Sequence, residues 1–281
     1  MRVFTFFYNR FTTATTANAL SAEGIPHTVL CHSAEDADKF IAGCTADRKN
    51  ILVTGQPKGL ANQRNAALSE VKKGEWTVFM CDDFQHVRMY PKEFIVSQSK
   101  KIPVNYDNQE SYRLNHKKTS TLTEMFSCFP KLIQLAEDNN IHLVGFKLHD
   151  NPLGLQNKFT TRGLADGRFW LLKKAHYQFD LNAQLIDDVA WTAENLCRHG
   201  NVLVCNWILP TFKRYTAGGF GTQEERLELR RKECLYLAKK YHPLVKIAPK
   251  PGWPAGTHVR IFGADANIKI ARKVLGYELG K

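Results

Sequence analysis

Short apolar runs and amphipathic stretches alternate through the first third of the chain. "RVFTFFY" (2–8) is rich in strand formers and reads as a first strand. "TATTANALSAEG" (13–24) has a helical pattern that ends on Gly24, a glycine suited to a helix C-cap. A second strand follows at 26–32, then a helix at 34–43 behind Ser33, an N-cap residue. A third strand lies at 50–55. The next helix, 59–74, places Leu60, Ala67, Leu68 and Val71 on one face, and "WTVFMC" (76–81) is the fourth strand. Strands spaced by helices of about ten to sixteen residues predict βαβ units. The expected fold class is therefore α/β, with a mostly parallel central sheet and helices on both faces.

The pattern is less regular from 85 to 140. The stretch 108–124 is polar and reads as an excursion, whereas 122–140 is largely helical. "IHLVGFKL" (141–148) and "GRFWLLKK" (167–174) read as strands on either side of a polar loop. "DDVAWTAENLCRHG" (187–200) is a helix with acids in its first turn, where the helix dipole favours them, and it ends on Gly200. A further strand is expected at 201–209 and a long basic amphipathic helix at 222–242.

The 281 residues, 43% hydrophobic and 23% charged, suit one large domain or a domain with an appendage. No segment approaches the ~20 apolar residues needed to span a bilayer. The N-terminal apolar run lacks a small-residue cleavage site and reads as a strand, not a leader. The seven cysteines are scattered and form no CxxC, which disfavours a zinc site and suits reduced thiols in a cytoplasm.

Charge adds a division that hydropathy does not show. Residues 1–83 carry net zero, 84–212 net +3 and 213–281 net +9, out of a total of +12. The expected organisation is a core over 1–212 and a basic, largely helical C-terminal extension over 213–281. An excess of this kind suits a polyanionic partner or a solubilising surface.

The fourth strand runs straight into Asp82 and Asp83. In open α/β sheets ligands bind beyond the carboxyl ends of the strands, and two like charges there suit a hard cation. A polar turn is the other reading of such a pair. Tyr8, Asn9 and Arg10 follow the first strand at the same edge; Gly59, Arg64 and Asn65 open the helix just before the acidic strand, and Asp187 and Asp188 stand at a later helix start after a polar loop. Arg64 could hold a phosphate bidentately and Asn65 could anchor a base or ribose. Asp187 or Asp188 could take a proton from a hydroxyl, although acids at a helix start are also common for the dipole alone.

A strand ending in an acid pair, a preceding "RN" helix and a later acidic helix start together resemble the GT-A glycosyltransferases. The resemblance implies a Rossmann-like GT-A fold, a nucleotide-sugar donor of the UDP type, and Mn²⁺ or Mg²⁺ held by Asp83 first and Asp82 second. It also implies donor contacts from Tyr8, Asn9, Arg10, Gly59, Arg64 and Asn65, and a base at Asp187 or Asp188. Cys81 stands where the motif more often has a first acid. The C-terminal run "NWILPTFKRYTAGGFGTQEERL", then "LAKKYHPLVKI" and "GTHVRIF", is similar to the TET-associated glycosyltransferases, which modify hydroxymethylated pyrimidines in DNA. Within that family the likeness is to the T-even-type phage group that places arabinose on 5-hydroxymethylcytosine, with glucose the next sugar. Lys213, Thr216, Gly218, Gly219, Pro243 and His258 fall on the family pattern, and Phe220 stands where it usually has Asn. The resemblance implies a metal or phosphate contact from His258 and action in a host bacterial cytoplasm.

Lys213, Arg214, Gly218, Gly219, Arg230, Arg231, Lys250 and Trp253 are the expected acceptor or DNA contacts. Phosphate neutralisation supplies most non-specific affinity, and an aromatic among cations can stack on a base. Two other functions fit the same residues. One is a glycosyltransferase acting on protein, lipid or polysaccharide, and the other a non-catalytic nucleic-acid-binding protein on a degenerate transferase fold.

Overall fold

Alternating side chains along the strands decide the layers. The computed structural model describes residues 1–7, 14–43, 50–89, 119–148, 159–213 and 222–277. The first part follows the predicted alternation: β1 (Arg2–Phe6), α1 (Thr15–Ala22), β2 (Thr28–Cys31), α2 (Ala34–Gly43), β3 (Ile51–Val53), α3 (Leu60–Ser69) and β4 (Trp76–Cys81). These four strands are parallel, paired in the order β3-β2-β1-β4. Ser33 receives the Asp36 amide as expected of an N-cap.

The middle of the chain contains β5 (Phe84–Met89), α4 (Leu122–Phe126), α5 (Phe129–Asp138), β6 (Leu143–Phe146), β7 (Phe159–Thr160) and β8 (Phe169–Lys173). The helix expected over 122–140 is two helices. Pro130 lies in the first turn of the second, where its missing N–H costs nothing. Next come α6 (Asp187–His199), β9 (Leu203–Cys205), β10 (Ile208–Phe212), α7 (Gln223–Lys240), β11 (Val245–Ile247), β12 (Val259–Ile261) and α8 (Asp265–Val274). Gly200 ends α6 in the left-handed region (φ 84°), as its position in the sequence suggests.

The large sheet has eight strands in the order β3-β2-β1-β4-β8-β6-β9-β7. It is mostly parallel, but β8 runs antiparallel between β4 and β6, and β7 antiparallel to β9. The run "FWLLK" is buried along almost its whole length, so its pattern carries no sign of direction. The strand expected at 201–209 divides at Asn206 and Trp207. β9 stays in the large sheet, while β10 pairs antiparallel with β5, a strand the sequence pattern does not mark.

The two faces of the sheet are covered separately. Phe4, Phe79, Trp170 and Leu172 point to a core shared with α3, α6, α7 and α8. Val3, Val78, Met80 and Leu171 point to a second core, shared with α4, α5, β5 and β10. Residues from beyond 213, including Cys234, Leu237, Tyr241 and Ile268, belong to the first of these cores together with Phe4 and Phe79. No described helix is long and apolar enough to cross a membrane.

Candidate active site at the carboxyl edge of the sheet

The carboxyl ends of β1, β4, β6 and β9 lie at one edge of the sheet, together with the amino end of the reversed strand β8. The turn after β4 is gripped from three sides. The Cys81 amide donates to the Arg168 carbonyl (2.8 Å) just before β8. From the start of α1, Thr16 Oγ1 donates to the Cys81 carbonyl (2.5 Å) and Thr15 Oγ1 to the Asp82 carbonyl (3.2 Å). The Lys213 amide donates to the Asp83 carbonyl (2.9 Å) just after β10. Lys213 and Asp83, widely separated in sequence, are thus backbone neighbours.

The segment Asp166–Gly167–Arg168 crosses from this turn to the start of α6. Arg168 makes a forked ion pair with Asp166, Nε to Oδ1 at 3.0 Å and Nη2 to Oδ2 at 2.8 Å. A Cβ on Gly167 would stand 3.0 Å from Asp188 Cβ and 3.2 Å from both terminal nitrogens of Arg64. A side chain at 167 would make these groups give by a few tenths of an ångström. Arg168 feels the charge of Asp83, and Asp188 that of Asp166.

The two acids opening α6 differ sharply. Asp187 is buried (4% exposed) and in contact with Arg64, whose guanidinium also donates to the Gly167 carbonyl. Burial pushes Asp187 up to about 7, against the pull of Arg64 and with Asp188 and Glu233 adding to the rise. Asp188 is half-buried, and one of its oxygens accepts the Val189 amide (2.8 Å). Burial and then the Asp166 charge push it up, while Val189, Arg230 and Arg64 oppose them. Of the two acids, Asp188 is the more exposed. Asp187 is a structural partner.

The structure changes the expected role of the third helix. Arg64 is 1% exposed, with its guanidinium carbon 4.3 Å from the Trp170 ring centroid and 5.5 Å from that of Phe179. Both terminal nitrogens are engaged within the protein, so it is no phosphate clamp on an open surface. Asn65 is also occupied: its amide receives the Phe179 N–H (2.7 Å) and donates to the Phe179 carbonyl (3.0 Å), bracing the loop before α6. Gly59 is the N-cap of α3 at φ 145°, and a Cβ there would stand 2.5 Å from Gln184 Oε1. All three residues shape the approach to α6. Tyr8, Asn9, Arg10, Arg214, Thr216, Gly218, Gly219 and Phe220 lie outside the described residues.

His258 does not join Asp82 and Asp83. Among the described residues no three His, Cys, Asp or Glu side chains gather as a metal-holding group. His258 stands beside the Trp253 ring (6.3 Å between centroids), and burial followed by the charges of Lys250, Arg230 and Arg260 pushes its pKa down. A divalent cation there would be repelled. Protein sites for Mg²⁺ or Mn²⁺ commonly supply only one or two carboxylates, the rest coming from substrate phosphates and water, and the acid pair is the part of such a set present here. It does not fit a complete site made by protein alone.

The same cationic group collects the C-terminal residues. Arg230 lies 4.8 Å and Lys250 4.4 Å from the Trp253 ring centroid, and Arg230 Nε donates to the Thr257 carbonyl (2.7 Å). Arg231 is exposed and paired with Glu228. One turn along α7 from Arg230, buried Glu233 accepts the amides of Gln184 (2.8 Å), Leu185 (2.9 Å) and Ile186 (3.1 Å). The basic helix therefore fixes the loop that delivers Asp188.

Asp166, Arg168 and Glu233 do not stand out in the sequence. The Asp-Gly-Arg run just ahead of an apolar strand is the one signal for the first two. A cleft of about 470 Å³ on the flank of α6, lined by Tyr177, Trp191, Glu194, Arg198, Lys240 and Tyr277 among others, is separate from this edge. Its charges are already paired, Glu194 with Arg198 and two tyrosines, Lys240 with Asp180. The chain matches no protein-family model, and no curated protein matches it.

Proposed function

We propose that the chain is a GT-A-type glycosyltransferase that moves a sugar, arabinose first and glucose second, from a UDP-sugar to the hydroxymethyl oxygen of 5-hydroxymethylcytosine in DNA. The observation that carries this reading is the meeting, at one sheet edge, of the Asp82–Asp83 turn with Asp188 through Asp166–Gly167–Arg168. The β3-β2-β1-β4 order followed by a reversed strand supports it, as does the cationic group at Arg230, Lys250 and Trp253, of which Arg230 acts on the charge of Asp188.

Asp188 takes the proton of the acceptor hydroxyl, the oxygen forms the new bond to the anomeric carbon, and the bond from that carbon to the diphosphate breaks. A divalent cation held by Asp83 and Asp82 with the diphosphate would neutralise the charge gathering on the leaving group. Arg64 and Glu233 keep α6 and its approach in place. Arg230, Lys250 and Trp253 face the acceptor; the C5 substituent of a pyrimidine points into the major groove, so it can be reached with or without base flipping.

The test is incubation with hydroxymethylcytosine DNA or plain DNA and a panel of UDP-sugars, followed by weighing the nucleosides released on digestion. A pentose or hexose mass added only to the modified base is expected. Equal labelling of both DNAs, or of neither, overturns the DNA acceptor and leaves a transferase for another polymer or no transferase. Asp83→Ala is expected to abolish turnover while DNA binding persists, and unchanged turnover would refute its metal role. Charge reversal at exposed Arg231 and Lys250 should weaken DNA binding and flatten its salt dependence, by about 0.9 in log–log slope for each phosphate no longer neutralised. An unchanged slope would place the DNA face elsewhere.

A further inference from the structure

We infer that Arg168, held in place by Asp166, is a ligand for the diphosphate of the nucleotide donor, an inference that rests on the transferase reading above. Four features of its position lead to it.

First, Arg168 is tied to the acid turn by main-chain bonding: its carbonyl receives the Cys81 amide at 2.8 Å, directly before Asp82 and Asp83. A diphosphate sharing a cation with those acids comes to lie beside it. Second, its guanidinium is only partly used. Nε and Nη2 are paired with Asp166, whereas Nη1 makes no hydrogen bond among the described residues, and the side chain keeps 25% of its surface open. Third, its charge is secure. Burial is the largest single influence and works against it, but Asp166 together with the charges of Cys81 and Asp83 more than offsets burial, so the guanidinium is held above its usual range.

The fourth feature is how Arg168 compares with the other cations described at this edge. Arg64 is sealed in the core with both terminal nitrogens engaged. Lys213 has its amide on Asp83, but its exposed side chain is not fixed by any partner among the described residues at the edge. Of these three cations, Arg168 is the one that is both ordered by a carboxylate and open at the edge. As the anomeric bond breaks, its electron pair passes to the diphosphate oxygen. A fixed fork of N–H donors beside that oxygen stabilises the added charge. Asp166 acts through Arg168 and is a positioning residue.

The experiment is calorimetric binding of UDP, uridine and inorganic pyrophosphate to the full chain, with and without Mn²⁺, for the native protein, Arg168→Gln, Arg168→Lys and Asp166→Asn. Arg168→Gln is expected to weaken UDP and pyrophosphate by about ten-fold or more and to leave uridine unchanged. Arg168→Lys should recover only part of the loss, because an ammonium keeps the charge and loses the fork. Asp166→Asn should give a smaller loss of the same kind. If Arg168→Gln does not fold, Arg168→Lys carries the test, with a loss confined to the phosphate-bearing ligands expected. UDP binding indifferent to these changes, or an equal loss for uridine, would show a structural ion pair only and overturn the inference. A native protein that binds neither UDP nor pyrophosphate would overturn the transferase reading as well.

Discussion

Asp188→Asn is expected to lower the transfer rate by about 10²–10⁴-fold, the usual contribution of a general base, with UDP binding retained. The geometry isolates this residue from its neighbour. Asp187 is buried and committed to Arg64, whereas Asp188 keeps an oxygen beyond the one on the Val189 amide. Burial and the Asp166 charge push the Asp188 carboxyl up to about 6, with Arg230 and Arg64 opposing. A base must be ionised to work, so the native rate should fall as pH drops through about 6 and level off above it. The expected pH–rate profile therefore has an ascending acid limb that disappears in Asp188→Asn. Asp187→Asn should instead leave the limb in place and lower stability. An acid limb that survives in Asp188→Asn would assign the base elsewhere.

The second large effect is on stability. Arg64→Met leaves Asp187 in the core without its cation, and breaking a buried ion pair in this way costs about 3–5 kcal/mol. The double variant Arg64→Met with Asp187→Leu should recover much of the loss, because apolar side chains of similar volume often replace a buried pair without penalty. The pH dependence has a definite sign. Asp187 already has a folded-state pKa above the unfolded value, so the folded form binds the extra proton and stability declines as pH rises towards about 7. Without Arg64, which holds the folded value down, that decline should extend to higher pH. Urea midpoints measured between about pH 5 and 8 test this. A loss that is the same at both ends would show that Asp187 does not carry it.

Much of the first half of the molecule was legible in the sequence because its signals are local. The helix over 34–43, the strand over 76–81 and the end of α6 at Gly200 follow from caps, apolar period and a glycine able to turn left-handed. β5 was not legible: "FQHVRM" is half polar, and it becomes a strand only because β10 pairs with it. The direction of β8 was hidden for a different reason, since a strand buried on both faces has no polar side to orient it. The candidate site divides in the same way. Acid pairs are visible as letters, so Asp82, Asp83, Asp187 and Asp188 could be picked out. Which of them can meet a substrate depends on what stands opposite, and Arg64, Arg168 and Glu233 reach them from distant parts of the chain. An arginine on a helix looks the same in sequence whether it faces solvent or lies sealed over Trp170.

The reversal of β8 has a bearing on how the molecule tolerates change. Met80 pairs with Phe169, and the Cys81 amide continues the ladder to the Arg168 carbonyl. The spacing between the acid turn and Arg168 is thus set by inter-strand bonding and not by loop length. Residues can be inserted into the surface connections on either side without altering that spacing. Deleting one residue within "GRFWLLK" is another matter, because a shift of one turns every side chain to the opposite face. Length variants of this chain should therefore separate into harmless ones in the connections and lethal ones within a few residues of the β4–β8 ladder.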